Sequence, residues 1–159
     1  MDKKKLVEAL CTQLEADLTV LKDAAIATYE AATNEESKPE NEYDTRGLEA
    51  SYLAGAQAKR VGEIEEIIYF LKHLNIRDFG PKDKINSTAL VEVESDGKKN
   101  TFFILGKGGG INIKFEGRTI QIITPNSPLG EALLDQTQEG VAVVETGDNF
   151  REYDILKVW

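Results

Sequence analysis

The first 32 residues place apolar and polar side chains with the period of an α-helix in a coiled coil. Over residues 6–32, apolar or small residues recur at alternating spacings of four and three, and charged residues fill the other faces. The positions of this seam are Val7, Cys11, Leu14, Leu18, Leu21, Ala25, Thr28 and Ala32. A seam that persists for more than three heptads predicts a long helix that packs against a second helix.

A second helical pattern begins near residue 38 and ends around Asn75, before Gly80 and Pro81. Its predicted seam is interrupted by two polar residues. The predicted apolar positions are Ala50, Leu53, Ile64, Ile67, Leu71 and Leu74, and the interruptions are Gln57 and Arg60. Since the connection between the two helices is short, they must run antiparallel. Residues 1–75 are therefore predicted to form an antiparallel coiled-coil hairpin.

From residue 85 onwards the period changes to two, which is typical of β-strands. Six short strands are predicted, with a helix of about two turns at Pro128–Leu134, where Ser127 is the predicted N-cap. Residues 76–84 are the predicted linker. Residues 85–159 are predicted to form a small antiparallel sheet with one short helix, so the fold class is α+β.

The glycine-rich segment 106–110 is interpreted as a flexible hairpin loop. It lacks the Gly-Lys-Ser/Thr ending of a phosphate-binding loop, and a strand pattern rather than a helix follows it.

Composition narrows the range of functions. The net charge of −9 disfavours direct binding to duplex nucleic acid and favours a protein partner. A single cysteine and the lack of a long apolar run fit a cytoplasmic protein. The only histidine, His73, has no second histidine with which to build a metal site. We expect no catalytic residues of the chain's own, so the protein is not predicted to be an enzyme.

The predicted turn between the two helices is strongly acidic, and Lys38 is its only opposing charge. Its acidic residues are Glu35, Glu36, Glu40, Glu42 and Asp44. One interpretation is a solvated loop whose carboxylates lie near a helix start, where the helix dipole favours them. The other is that the carboxylates complete a metal site of another protein, since Mg²⁺ is held by a few carboxylates with waters and phosphates.

A series of motifs in the last third of the chain resembles the C-terminal domain of the bacterial transcript cleavage factors, the GreA/GreB family. The motifs are Ser127-Pro128-Leu129-Gly130, Ala132-Leu133-Leu134, Gly140 and Tyr153-Asp154-Ile155-Leu156. The resemblance implies an FKBP-like domain without isomerase function that docks on the rim of the RNA polymerase secondary channel. It implies a docking role for Ser127, Pro128, Leu129 and Gly130. A helix cap, a first-turn proline and packing residues explain the same four residues equally well.

The segment Glu40-Asn41-Glu42-Tyr43 is similar to the tip of the family's coiled coil. In that family the tip enters the secondary channel, and an Asp–Glu pair helps to hold the second catalytic Mg²⁺ during hydrolysis of backtracked RNA. The resemblance thus implies that Glu36, Glu40 and Glu42 assist an Mg²⁺ shared with the polymerase. It implies no stably bound metal and no cofactor of the chain's own.

The tip of this chain is one residue shorter than the family motif. One alignment puts Ser37 in place of the family's Asp, and the other puts Glu36 and Pro39 at the pair. In either case the pair is incomplete, which indicates a divergent member of the family.

Two functions remain open from the sequence. The first is a monomeric elongation factor that binds RNA polymerase at the secondary channel, inserts its tip and modulates elongation or backtracked complexes. The alternative is a non-catalytic channel regulator that does not stimulate transcript cleavage. A prolyl isomerase or chaperone is disfavoured, because the strand region has no pattern of an aromatic-lined pocket.

Overall fold

The computed structural model describes residues 1–33, 46–147 and 149–159, which fall into two units. One unit is Leu10–His73, and the other comprises Met1–Ala9 and Leu74–Trp159. The predicted division placed all of residues 1–75 in the hairpin. In the structure, the first nine residues group with the C-terminal part of the chain instead.

Helix α1 spans Lys3–Thr33, and from residue 14 onwards it confirms the predicted seam. Between residues 14 and 33, every position outside the seam is exposed to solvent, and every seam position is at least partly buried. No glycine or proline interrupts the helix. The heptad spacing alone therefore identified the buried side of α1 from residue 14 onwards. Nearer the start of the helix it missed Leu6 and Leu10, which are almost fully buried.

Helix α2 spans Arg46–Lys72, and its seam differs from the predicted one. The observed seam has alternating spacings of three and four, and its partly or fully buried positions are Gly47, Ala50, Ala54, Gln57, Val61, Ile64, Ile68 and Leu71. The predicted Ile67 lies beside this seam and is also partly buried. Leu53 is 53% exposed and Arg60 is also exposed. The prediction chose the larger Leu53 over its neighbour Ala54. The structure partly buries Ala54 instead, since a small residue lets two helices approach closely.

Two ion pairs show that α1 and α2 are antiparallel. Lys22 Nζ lies 2.6 Å from Glu65 Oε1, and Lys72 Nζ lies 2.7 Å from Glu15 Oε1. A step of seven residues forward on α1 thus matches a step of seven residues back on α2. Since all four side chains are about half exposed, the pairs contribute little free energy, but they mark the register of the two helices.

Six strands and one short helix follow. The strands are β1 (Leu90–Ser95), β2 (Lys98–Ile104), β3 (Asn112–Phe115), β4 (Arg118–Ile123), β5 (Val141–Thr146) and β6 (Asn149–Val158), and helix α3 is Pro128–Leu133. The strands form one sheet in the order β3-β4-β2-β1-β6-β5. The predicted α+β class, with a helical hairpin, a sheet and one short helix, is confirmed.

The sheet is mixed rather than wholly antiparallel. Strands β2 and β4 are parallel, with Thr101 opposite Ile120, whereas the other neighbouring strands are antiparallel. The glycine-rich segment is therefore not a hairpin loop, because it carries the chain from β2 past the position of β4 to β3. Gly108 and Gly110 have φ values of 85° and 88°, which residues other than glycine rarely adopt.

The hydrophobic core of the sheet region lies on both faces of the central strands. On one face, Val91, Val93 and Ile155 pack with Leu133 of α3. On the other face, alternation along the strands places the fully buried Leu90, Phe103, Ile120 and Ile122. Among the described helices, none is both long enough and apolar enough to cross a membrane.

Candidate functional site

The start of helix α3 has the predicted capping arrangement. Ser127 is the N-cap, in an extended conformation, and its Oγ accepts a hydrogen bond from the Gly130 N–H at 3.1 Å. The same hydroxyl donates to the carbonyl oxygen of Thr124 at 2.7 Å. Pro128 occupies the first turn, where an N–H would have no partner within the helix. The cap fixes the direction in which the chain enters α3.

Gly130 is buried against the segment that precedes the helix. A Cβ at this position would lie 2.0 Å from the carbonyl oxygen of Thr124 and 2.9 Å from Ser127 Oγ. No side chain can be accommodated unless the backbone moves. Ser127 and Gly130 therefore each have a structural role that explains their presence in the motif.

The two remaining residues of the motif differ in accessibility. Pro128 is exposed, whereas Leu129 is partly buried and packs against the core. Asn126 and Glu131 are exposed beside Pro128. Of the four predicted docking residues, Pro128 is thus the most exposed to a partner. The docking role of all four stays a prediction.

The predicted tip acids Glu36, Glu40 and Glu42 lie outside the described residues. Within the described residues, no cluster of histidine, cysteine, aspartate or glutamate side chains is arranged to hold a metal ion. Nothing in the structure tests a metal shared with another protein.

The two side chains that could carry other chemistry have structural surroundings. Burial raises the pKa of the Cys11 thiol, Glu15 raises it further, and Lys72 opposes this change. The Cys11 thiol is therefore a poor nucleophile at neutral pH. His73 lies beyond the end of α2, where its Nδ1 is 2.8 Å from the carbonyl oxygen of Tyr69. Its ring lies against the Tyr69 ring at an angle of 34°, with 4.2 Å between the ring centres.

Lys3 has a role that sequence reasoning missed. It is only 4% exposed, and its ammonium group donates to the carbonyl oxygens of Thr88 at 3.0 Å, Trp159 at 2.8 Å and Arg77. The ammonium also lies 4.8 Å from the centre of the Phe79 ring. Lys3 thus connects the first turn of α1 to three separate segments of the same unit. The run Lys3–Lys5 gives no sign of this, because its other two lysines are exposed.

Burial lowers the pKa of Lys3 from 10.5 to about 8, with Asp78 raising it and Arg77 lowering it. Since the folded pKa is the lower one, the unfolded chain holds more protons between pH 8 and 10.5. Stability contributed by Lys3 therefore increases with pH in this window. Relative to Lys3→Met, the free energy of unfolding of the wild type should rise by up to about 3 kcal/mol. The pKa difference sets this upper limit, and the three carbonyl acceptors reduce the rise below it because they favour the charged ammonium.

The measurement is urea unfolding of both proteins at several pH values from 7 to 11. Subtracting the Lys3→Met curve removes the titration of all other groups. A difference that is constant or falls with pH would contradict the expected behaviour.

Comparison with known proteins agrees with the motifs of α3. Residues 81–159 match the family model "Transcription elongation factor, GreA/GreB, C-term". The chain is 27% identical over 165 residues to the transcription elongation factor GreA of Methylococcus capsulatus, covering 99% of this chain and 98% of that protein.

Similar solved structures include two GreA homologues named Gfh1. The Thermus thermophilus protein has a TM-score of 0.37 at 21% identity and covers 94% of each chain. The Thermus aquaticus protein has a TM-score of 0.38 at 20% identity and covers 95% of this chain and 94% of that one. The GreA/GreB protein from Nitrosomonas europaea has a TM-score of 0.35 at 15% identity and covers 60% and 78%. Through the match of residues 81–159, the chain belongs to the GreA/GreB family of transcription elongation factors.

Proposed function

We propose that this protein binds RNA polymerase at its secondary channel, and that it modulates elongation or backtracked complexes. In this proposal the C-terminal residues dock on the polymerase and the helical hairpin carries its tip into the channel. The observation that supports it most is the family match over residues 81–159, which includes the capped helix α3.

The charge of the molecule supports a protein partner over free nucleic acid. The chain carries a net charge of −9, so it would gain little from releasing the counterions of a DNA duplex. Binding to the polymerase requires no such gain, since it relies on contacts between protein surfaces.

The hairpin is suited to presenting a tip. The largest apolar side chains of the seam lie at the end of the hairpin away from the tip. There the register of the two ion pairs places Leu14, Leu18 and Leu21 of α1 beside Ile64, Ile68 and Leu71 of α2. Towards the tip, the seam contains mainly alanine and glycine, which permit close contact between the helices. Two helices held in this way form a thin rod whose connecting residues, 34–45, are the acidic segment of the sequence.

Between the two variants of this function, we favour regulation without strong stimulation of cleavage. Tight ligation of Mg²⁺ requires carboxylates at about 2.0–2.1 Å. The tip sequence has either Ser37 or Pro39 where the family pair requires an acid. Proline supplies no ligand and restricts the backbone, so a neighbouring carboxylate is hindered from taking its place.

The docking part of the proposal is tested by Pro128→Glu. Pro128 is exposed, and a carboxylate in the first turn of a helix is compatible with the helix dipole, so folding should be preserved. Affinity for core RNA polymerase should fall by about tenfold, or about 1.4 kcal/mol, because a charge is buried at the contact. Leu129 is unsuitable for this test, since it packs against the core.

The matched control is Pro81→Glu, an exposed proline outside the motif. It should bind polymerase like the wild type in the same pull-down and titration. Equal binding by Pro128→Glu and Pro81→Glu would remove α3 from the docking surface. A wild-type protein that ignores polymerase and binds duplex DNA would refute the proposed partner.

The tip is tested by measuring RNA shortening in stalled, backtracked complexes. The wild type should shorten the RNA weakly or not at all, and Glu36→Ala/Glu40→Ala should retain polymerase binding. The control is Asp23→Ala/Glu30→Ala, which removes two exposed acids from α1. Robust shortening that only the tip substitutions abolish would establish the acids as metal ligands and favour the cleavage factor.

A further inference from the structure

Strand β5 has no further strand paired to its outer side, and helix α3 packs on the sheet face opposite Val141 and Val143, where Leu133 and Ala142 are buried together. Strand β5 is the last in the order of the sheet and pairs only with β6. The Ile155 N–H donates to the carbonyl oxygen of Gly140 at 2.9 Å, so alternate residues from Gly140 onwards direct their backbone groups towards β6. The backbone groups of Val141, Val143 and Glu145 therefore point away from the sheet. Among the backbone hydrogen bonds of the described residues, none occupies this edge.

Large apolar side chains are exposed beside this edge. Val141 is 44% exposed and Val143 is 45% exposed. Phe150 of β6, which is 68% exposed, lies opposite Glu145 and so shares the face of the two valines. We name these three residues the β5 patch. Other solvent-facing positions of the sheet are mostly polar, so the β5 patch is a local exception.

The two edges of the sheet differ in how they resist strand addition. The opposite edge, β3, has only four residues and carries the exposed Lys114, and both features discourage further pairing. Strand β5 has six residues, Val-Ala-Val-Val-Glu-Thr, with no lysine and no proline. It retains the length, regular backbone and apolar surface that an added strand requires.

The charged residues around the β5 patch determine which charge an added strand should carry. Glu145, Glu152 and Asp154 are exposed on the same face, because Val143 pairs with Glu152 and Val141 with Asp154. Arg151 points to the other face, where it lies 3.6 Å from Asp96. The patch is thus apolar and bordered by carboxylates. A second copy of the chain would bring its own carboxylates and a net charge of −9 against them.

We propose that β5 accepts an extended segment of a partner protein in which every second residue is either apolar or basic (lysine or arginine), so that both kinds of side chain lie on the face of the β5 patch. The segment would pair with the free backbone groups of Val141 and Val143. Its apolar side chains would cover the β5 patch, and its basic side chains would reach Glu145 and Glu152. This is strand addition, in which the backbone supplies affinity and the side chains supply specificity. The site is additional to the docking role proposed for α3.

The probe is a short, fluorescently labelled peptide, Thr-Val-Thr-Lys-Thr-Val-Thr-Lys, blocked at both ends, in which the intervening threonines place valine and lysine on the same face of the strand. The same peptide with glutamate in place of lysine is the charge control. Fluorescence anisotropy should show binding of the lysine peptide alone. Val143→Lys and Glu145→Lys should each weaken binding by about tenfold, whereas Val20→Lys, which replaces an exposed valine of α1, should have no effect. Unchanged thermal transitions would show that the variants are folded.

Hydrogen exchange distinguishes strand addition from adsorption to an acidic surface. The bound peptide should slow exchange of the Val141, Val143 and Glu145 amides in the wild-type protein. Binding without this protection, or binding unaffected by Val143→Lys, would overturn the proposal. So would dimerisation of the protein alone that Val143→Lys abolishes, because a second copy would then be the occupant. None of these results depends on polymerase binding.

Discussion

Replacing Gly130 by alanine should lower the free energy of unfolding of the C-terminal unit by about 3 kcal/mol or more. The added Cβ would lie 2.0 Å from the carbonyl oxygen of Thr124, which is a backbone atom and cannot rotate away. It would also lie 2.9 Å from Ser127 Oγ, the atom that caps α3. The substitution should therefore displace the helix or break its cap.

Urea unfolding followed by Trp159 fluorescence would measure this effect, since Trp159 is the only tryptophan and belongs to the same unit. Gly55→Ala and Gly62→Ala are the matched controls. Both glycines lie inside α2, and nothing lies within 4 Å of a Cβ at either position. These variants should stabilise the hairpin by up to about 1 kcal/mol through helix propensity. If Gly130→Ala were as stable as the wild type, the proposed close contact would be wrong.

Replacing Lys3 by methionine should lower the free energy of unfolding of the same unit by about 2–3 kcal/mol at neutral pH. Methionine preserves much of the buried volume but cannot donate hydrogen bonds. The carbonyl oxygens of Thr88 and Arg77 would lose their bond to the ammonium. The Trp159 oxygen would keep only the bond from the Leu90 N–H, at 3.2 Å.

The controls are Lys4→Met and Lys5→Met, the exposed neighbours of Lys3. Each removes the same charge and should change stability by no more than about 0.5 kcal/mol. The comparison separates the buried hydrogen bonds from the general effect of positive charge near the start of a helix. Equal effects of all three substitutions would show that the buried contacts of Lys3 do not stabilise the fold.

The candidate site was predictable to the extent that it depends on neighbouring residues in the chain. The consecutive residues Ser127 and Pro128 predicted the N-cap and the first turn of α3, and the structure confirms both. The need for glycine at position 130 comes from the approach of Thr124, and no sequence pattern shows that distance. The predicted tip acids lie outside the described residues, and their role stays a prediction.

The sequence by itself determined the elements of this protein and their order. Helix and strand periods are local properties, so the seam of α1 and the six strands could be read from the spacing of apolar residues. The tertiary structure decided which neighbours those elements have. Close packing of two helices partly buries Ala54 and leaves Leu53 exposed, and insertion of β4 between β2 and β3 makes one pair of strands parallel. The tertiary structure also decided the burial of Lys3, because the three carbonyl oxygens that accept hydrogen bonds from Lys3 belong to residues far away in sequence. The spacing of apolar residues along the chain indicates whether a segment is a helix or a strand. Which residues contact that segment depends on how distant parts of the chain pack together.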